Sequence, residues 1–519
     1  MIPIRAIEPE RFAALRAFFE EAGFTAEGVC ARTECEEIYS FVTLDEGRKQ
    51  SAEVKDTRDT LVRLFMDSCS LEPSLVADHL PGEVISALED SGFLEVDPAD
   101  SALVRGSVLL YPVEGLWVAS DARWLRLPGV PSTHVNEPPD DVVYPAITWS
   151  GRTYQHLLSR RPAERVLELC SGTGIAALMA ARRGGHAWAV DITARSTAFA
   201  QVNAALNGLE NVTALEGDLY GPVRGMEFDL IAVHPPYVPS PDNRVVYSDG
   251  GEDGESITRR VVGELSGQLA PGGRLYCTCV LSDRKGKPVE ARVREFLGPD
   301  EGAYDVAWVC GPRMEPLENL VSRLDRGNLT IEGAAMLHRL FREREVEALV
   351  GGTLVIERVA DARPAFTLRR RVGDEFHRDW LEWALRWEAA ASDPGLVARV
   401  FESPARLPDW VRLHMVNRLH RGGWQGEEAR IVTPLPFPFS WDAAPEALQF
   451  LAACDGSRTV RELLGALQAE GVLPPDVPPE QFATLVTQLV GSGVLEVPEF
   501  PHPARPESSV GWLRPGAKG

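Results

Sequence analysis

The chain has 519 residues, 44% of them hydrophobic and 25% charged, a soluble globular composition long enough for about three domains. Its 76 acidic against 53 basic residues leave a net charge of -23, which opposes unspecific attraction to a phosphate backbone and favours a protein, peptide or small-molecule partner over nucleic acid. No run approaches the roughly 20 apolar residues of a membrane span, and Arg5, Glu8, Glu10, Arg11 and Arg16 interrupt the first 19 residues where a signal peptide would need an apolar core, so a cytoplasmic protein without a membrane partner is expected.

In chain order, residues 59–66, 74–80 and 81–89 read as three short helices, followed by an apolar strand at 103–111, a turn and a second strand at 116–120. Three helices and a hairpin suggest a winged-helix-like α+β module over residues 1–127. Prolines at 128, 131, 138, 139 and 145 mark a stiff linker. Apolar runs then alternate with helical patterns at 165–169, 187–190, 212–215, 229–233 and 274–281, with 304–310 and 353–359 available for the sheet edge. That alternation predicts an α/β domain over residues 140–360, a mostly parallel sheet with helices on both faces. Residues 361–433 read as a helical connector. Prolines at 434, 436 and 438 lead into a second winged-helix-like module at 434–500, built from helices at 445–454, 460–470 and 480–490. Both modules end alike, in Ser91-Gly92-Phe93-Leu94-Glu95-Val96 and Ser492-Gly493-Val494-Leu495-Glu496-Val497, where glycine stops a helix and releases an extended apolar stretch. Residues 501–519, rich in proline, glycine and charge, read as a flexible tail. None of the eight cysteines forms a CxxC pair, and Cys277 and Cys279 in the fifth apolar run read as buried structural thiols, so no metal is expected.

The chemistry concentrates between Val166 and Tyr237. Val166-Leu167-Glu168-Leu169 is a buried strand that runs into the small-residue turn Cys170-Ser171-Gly172-Thr173-Gly174 and then an apolar helix. Gly172 and Gly174 allow a ligand to lie against the backbone there. Asp191 ends the next strand about 20 residues later, the place of an acid that accepts from ribose hydroxyls. Asp218 ends the third, where its carboxylate would face an adenine amino group. The fourth ends in His234-Pro235-Pro236-Tyr237. Two prolines cannot continue a central strand, so the chain leaves the sheet as a stiff arch at the carboxyl edge, where ligands bind in such sheets.

These residues resemble the class I S-adenosylmethionine-dependent methyltransferases of the small-domain group, which carry an (Asn/Asp/Ser)-Pro-Pro-(Tyr/Phe) loop and include release-factor glutamine methyltransferases and ribosomal RNA guanine methyltransferases. The likeness spans about residues 162–280, and Asp249-Gly250-Gly251-Glu252-Asp253-Gly254 followed by Arg259 and Arg260 is similar to the segment after the proline loop. The resemblance implies a Rossmann-like methyltransferase sheet and S-adenosylmethionine as cofactor. It further implies a donor site of Glu168, Cys170, Ser171, Gly172, Thr173, Gly174, Asp191, Ile192, Asp218 and Leu219, with His234, Pro235, Pro236 and Tyr237 around the acceptor. His234 departs from the release-factor pattern, which has Asn there; a neutral imidazole offers one donor and one acceptor and changes charge near pH 6.5. It can therefore serve as a positioning group or as a base. The expected activity is N-methylation of a protein or peptide side chain. N- or O-methylation of a small natural product, or a winged-helix nucleic-acid binder with an idle centre, are the alternatives. Residues 454–463 are also similar to the start of small helical modules that bind leader peptides, although an Asp-Gly turn and a Thr459 helix cap explain the match by structure alone.

Overall fold

The computed structural model describes residues 4–43, 54–121, 140–240, 246–325, 329–373 and 376–504; the proline linker at 128–139 and the tail beyond 504 lie outside them. The chain divides into two compact units, residues 1–303 with 313–360 and residues 304–312 with 361–519.

The first unit is built on a sheet whose elements follow in chain order. Helix α1 (Trp149–Leu157) precedes β1 (Arg165–Leu169), α2 (Ile175–Ala181), β2 (His186–Asp191), α3 (Ala194–Leu206), β3 (Val212–Glu216) and β4 (Phe228–Val233). Then come α4 (Ser256–Gly263), the long β5 (Leu269–Arg284), α5 (Val289–Leu297) and β6 (Val346–Arg358). Their order across the sheet is β6-β5-β4-β1-β2-β3. All neighbours are parallel except β5 and β6. The Rossmann-like sheet expected from the alternation is therefore present. Helices cover both faces, which is why Val166, Leu167 and Leu169 in β1 and Ile231, Ala232 and Val233 in β4 are all buried and read as apolar runs, interrupted in β1 by Glu168. Cys277 and Cys279 are buried within β5.

Ahead of the sheet, helices Thr57–Leu61, Pro73–His79 and Gly82–Asp90 accompany a small three-stranded sheet of Ser70–Leu71, Leu94–Val96 and Val104–Gly106. The single strand expected at 103–111 is corrected to two. A Cβ at Gly106 would sit 2.5 Å from the Leu64 carbonyl oxygen, so the chain passes against that backbone and then leaves for another sheet. Val108–Val113 pairs instead with Leu116–Asp121 as a separate hairpin. The expected wing is thus not part of the three-helix module. It packs on α3, where Asn203 Nδ2 donates to the Ala119 carbonyl at 2.9 Å and Asn203 Oδ1 accepts from its N–H at 2.8 Å.

In the second unit, residues 306–310 pair in parallel with Thr367–Arg371. The expected helical connector at 361–433 is corrected. It holds helices Arg378–Ala391 and Leu396–Phe401, but also strand Pro404–Arg406 and the antiparallel strands Arg412–His420 and Gly423–Thr433. Helices Pro445–Ala453, Val460–Ala469 and Pro479–Gly491 follow, the second opened by a capping box of Thr459 and Glu462. The start of the expected flexible tail is anchored, since His502 packs 5.2–5.4 Å, centroid to centroid, from Trp380, Trp383 and Trp410.

Candidate active site

Where β1 ends, Cys170, Gly172 and Gly174 take φ of 51°, 50° and 78°, so three of five consecutive residues lie in the left-handed region and the turn is tight. The Ser171 N–H donates to the Val190 carbonyl at 3.1 Å and the Gly174 N–H to Ser171 at 2.7 Å. A Cβ at Gly174 would meet that of Ala200 at 3.0 Å, whereas one at Gly172 would meet nothing within 4 Å. The first glycine thus borders open space and the second lets α2 approach α3.

Asp191, at the end of β2, accepts from the Gly172 N–H at 2.9 Å and from the Thr193 N–H and Oγ1 at 3.1 and 3.2 Å. Thr193 in turn caps α3. A carboxylate offers about four lone-pair directions, so Asp191 can brace the turn and still accept from a sugar hydroxyl. Ile192 beside it is 57% exposed. Asp218 is spoken for differently: both its oxygens accept from Arg260, at 3.0 and 2.8 Å. Leu219, buried with φ of 47°, turns the chain after it.

Glu168 is buried beneath the turn. Oε1 accepts from the Tyr154 hydroxyl and the Ala176 N–H, both at 3.1 Å, and Oε2 from the Ala177 N–H at 2.8 Å. Burial pushes its pKa up to about 7, against the three hydrogen bonds that favour the charged form. Its carboxyl therefore joins α2 to α1 from behind the turn. The Thr173 carbonyl accepts from Asn203 at 3.0 Å, the same side chain that holds the Ala119 hairpin.

Leu169 lies opposite Val233 in the parallel pair β1–β4, so Cys170 and His234 leave the sheet side by side. The arch His234-Pro235-Pro236-Tyr237 is braced by the glycine-rich segment after it. Val238 donates to Ser248 at 2.8 Å, Gly250 to Val238 at 3.0 Å and Ser240 to Gly251 at 3.0 Å. A Cβ at Gly254 would lie 2.6 Å from the Tyr237 carbonyl oxygen, which fixes a glycine there. Glu255 anchors this brace to the sheet by accepting from the Ser282 N–H at 2.8 Å and from the guanidinium of Arg292 on α5. Asp253 pairs with Arg259, Arg284 and Arg344. The acidic segment is therefore scaffolding for the arch.

The His234 ring stacks on Tyr154, centroids 5.3 Å apart at 27°, and lies 5.7 Å from the ring of Tyr237. His234 as a residue is half-buried, but its Nε2 is shut off from solvent and has no hydrogen-bond partner. Burial pushes its pKa down to about 4. Ser171 Oγ, in the turn, is likewise buried and unpartnered. Buried polar atoms are normally satisfied, so two orphans on adjacent strand ends, beside an open glycine and an acid with one lone pair to spare, fit a nucleoside donor and a polar acceptor. Tyr154 and Asn203, which join these parts, are absent from the residues singled out by sequence. Asn203 had a signal, being a polar residue at helical spacing from the apolar positions Phe199, Ala200 and Leu206.

Residues 152–293 match the family model described as methyltransferase small domain. A release factor glutamine methyltransferase of Deinococcus radiodurans is 34% identical over 259 residues, 45% of this chain and 86% of that protein. A ribosomal protein uL3 glutamine methyltransferase of Bradyrhizobium diazoefficiens is 38% identical over 127 residues, 22% of this chain and 40% of that one. A release factor glutamine methyltransferase of Geobacter sulfurreducens is 34% identical over 135 residues, 23% and 47% respectively. The chain thus spans less than half the length of the last two relatives. Among solved structures, a SAM-dependent methyltransferase from Agrobacterium tumefaciens superposes with a TM-score of 0.27 at 16% identity, covering 49% of this chain and 71% of that one.

Proposed function

On the premise that the chain belongs to the family of S-adenosylmethionine-dependent glutamine methyltransferases that includes the Deinococcus release factor enzyme, we propose that it methylates a side-chain carboxamide nitrogen of a protein acceptor. When bound, S-adenosylmethionine supplies an electrophilic methyl group on a sulfonium. Ser171, Gly172 and Asp191 hold the donor's polar groups on the first two strands. Asp218 contributes from a carboxylate already shared with Arg260.

The observation that carries the reading is the orphaned Nε2 of a histidine kept neutral by burial. With a pKa of about 4 the imidazole is a weak base and does not draw a proton from an amine or a hydroxyl at neutral pH. It is well suited to hydrogen-bond an amide, which presents both a donor and an acceptor. His234 therefore orients the acceptor, in the place where release-factor enzymes carry Asn, and Pro235, Pro236 and Tyr237 form the stiff wall beside it. The flanking α+β modules, for which the sequence suggests winged-helix character, serve in this reading as recognition surfaces for the protein acceptor.

The test is incubation of the purified chain with labelled donor and either a bacterial release factor or ribosomal protein uL3, followed by peptide mass spectrometry. A glutamine heavier by one methyl group is expected. Donor binding without transfer to either protein would reject the acceptor class, and absence of donor binding would reject the activity.

A further inference from the structure

We propose that Tyr154 of α1 is a positioning residue that fixes the plane of the His234 ring and ties it to the donor-binding turn; this rests on the reading of His234 as the acceptor-orienting group. Tyr154 is 3% exposed. The helix that carries it is held rigidly. Thr148 caps it by accepting from the Gly151 N–H at 3.2 Å, Arg152 pairs with Glu37 at 2.8 Å, and Gln155 donates to the Ala146 carbonyl at 2.8 Å while accepting from Tyr39 at 3.0 Å.

Two contacts leave Tyr154 in opposite directions. Its ring stacks on His234 at 5.3 Å and 27°. Its hydroxyl donates to Glu168 Oε1 at 3.1 Å, the oxygen that also accepts from the Ala176 N–H in the first turn of α2. Because that hydroxyl is engaged by Glu168, it does not compete with an acceptor for the histidine. Because Nε2 has no protein partner, ring contacts set the direction in which it points. A continuous rigid line therefore runs from the helix that follows Gly174, through Glu168 and Tyr154, to the imidazole. Displacing the imidazole by about 1 Å is enough to cost on the order of 100-fold in rate when a positioned group is misaimed.

The experiment compares Tyr154→Phe and Tyr154→Leu with the wild-type full chain. Phe keeps the stack and cuts the tie to Glu168; Leu removes both. Three quantities are read: affinity for S-adenosylhomocysteine by calorimetry, kcat and KM with a bacterial release factor, and titration of the His234 ring by NMR. The titratable groups facing that ring are Tyr154 from α1 and Tyr237 from the arch, with Glu168, Cys170 and Cys277 grouped around Tyr154. We expect S-adenosylhomocysteine affinity within about 2-fold of wild type in both variants, since Tyr154 acts on the acceptor side. The kcat should fall about 10-fold in Phe, as for one lost hydrogen bond to a carboxylate, and about 100-fold in Leu, with KM little changed. The His234 titration should rise toward its ordinary value in Leu, where the covering ring is gone.

Wild-type kcat in Tyr154→Phe, or a loss in either variant that tracks donor affinity, would overturn the proposal. If the wild type methylates no protein, the acceptor reading fails on its own. The titration then decides the role of Tyr154, because it needs no acceptor: an unchanged His234 titration in a folded Tyr154→Leu refutes the coupling, and a raised one upholds it.

Discussion

Gly172→Ala and Gly174→Ala separate ligand contact from packing within one turn. Both glycines have positive φ, so each alanine costs about 1 kcal/mol of backbone strain. At Gly172 nothing lies within 4 Å of the new methyl group, so strain is the whole cost to the fold. At Gly174 the methyl meets Ala200 Cβ at 3.0 Å and Ala200 Cα at 3.4 Å. Overpacking of that kind adds about 1–3 kcal/mol, for a total of about 2–4 kcal/mol. Urea midpoints should therefore fall more for Gly174→Ala. Calorimetry with S-adenosylhomocysteine should show the reverse order: affinity at least about 10-fold weaker in Gly172→Ala, whose methyl group occupies the space the donor needs, and close to wild type in folded Gly174→Ala. Wild-type affinity in Gly172→Ala would show that the open side of the turn does not face the donor.

Asp191→Ala should weaken donor binding by about 10- to 100-fold, the worth of lost hydrogen bonds to a carboxylate, and lower the urea midpoint because the Gly172 N–H loses its partner; unchanged affinity in calorimetry would remove Asp191 from the donor site. Asn203→Ala breaks three fully buried hydrogen bonds, to both backbone groups of Ala119 and to the Thr173 carbonyl, and should destabilise by about 2–4 kcal/mol in urea melts. His234→Asn should keep activity within about 10-fold of wild type and His234→Ala should lose about 100-fold, both with unchanged donor affinity; failure of Asn to rescue would favour a base over a positioning group. Glu168→Gln should remove a contribution of about 3 kcal/mol that declines as pH rises from about 4.5 to about 7, seen as a urea midpoint that climbs with pH where that of the wild type is nearly level.

The central sheet was legible because strands buried on both faces must be apolar throughout, and because glycine turns and strand-end acids fall at their carboxyl ends. The parts that escaped did so for physical reasons. Strand β5 begins at Leu269, but Pro271-Gly272-Gly273 reads as a stop; the extra residues bulge out between the pairs Leu269–Phe228 and Arg274–Leu230. The hairpin of Arg412–His420 and Gly423–Thr433 has its first strand exposed along its whole length, so burial wrote little pattern into it, although Gly422-Gly423 at φ of 114° and 144° is a hairpin signal. The placement of Asp191 beside the glycine turn was legible from spacing alone. The engagement of Asp218 by Arg260 was not, since residues 42 positions apart meet only once α4 is placed. Tyr154 belongs to no motif; its meaning lies in its distances to the His234 ring and the Glu168 carboxylate, which sequence does not bring together.

The two buried ionisable groups on either side of Tyr154 are displaced in opposite directions, and this opposition matters for the fold. The unfolded chain protonates His234 near pH 6.5, whereas the native state resists until about pH 4, so stability from this group is complete above about pH 6.5 and is lost as pH falls toward 4. Glu168 behaves in the reverse sense: it is most favourable below about pH 4.5 and declines until about pH 7. Each term is on the order of 3 kcal/mol, so between about pH 4.5 and 6.5 the gain from one nearly offsets the decline from the other. The chain can therefore keep an uncharged imidazole at the end of β4 and a buried carboxyl behind the glycine turn without making its stability steeply dependent on pH there. Replacing either group alone exposes the slope of the other. In His234→Asn the urea midpoint should fall as pH rises across this range, and in Glu168→Gln it should climb. Parallel slopes in the two variants would mean that the titrations belong to other residues and that the pairing across Tyr154 has no energetic consequence.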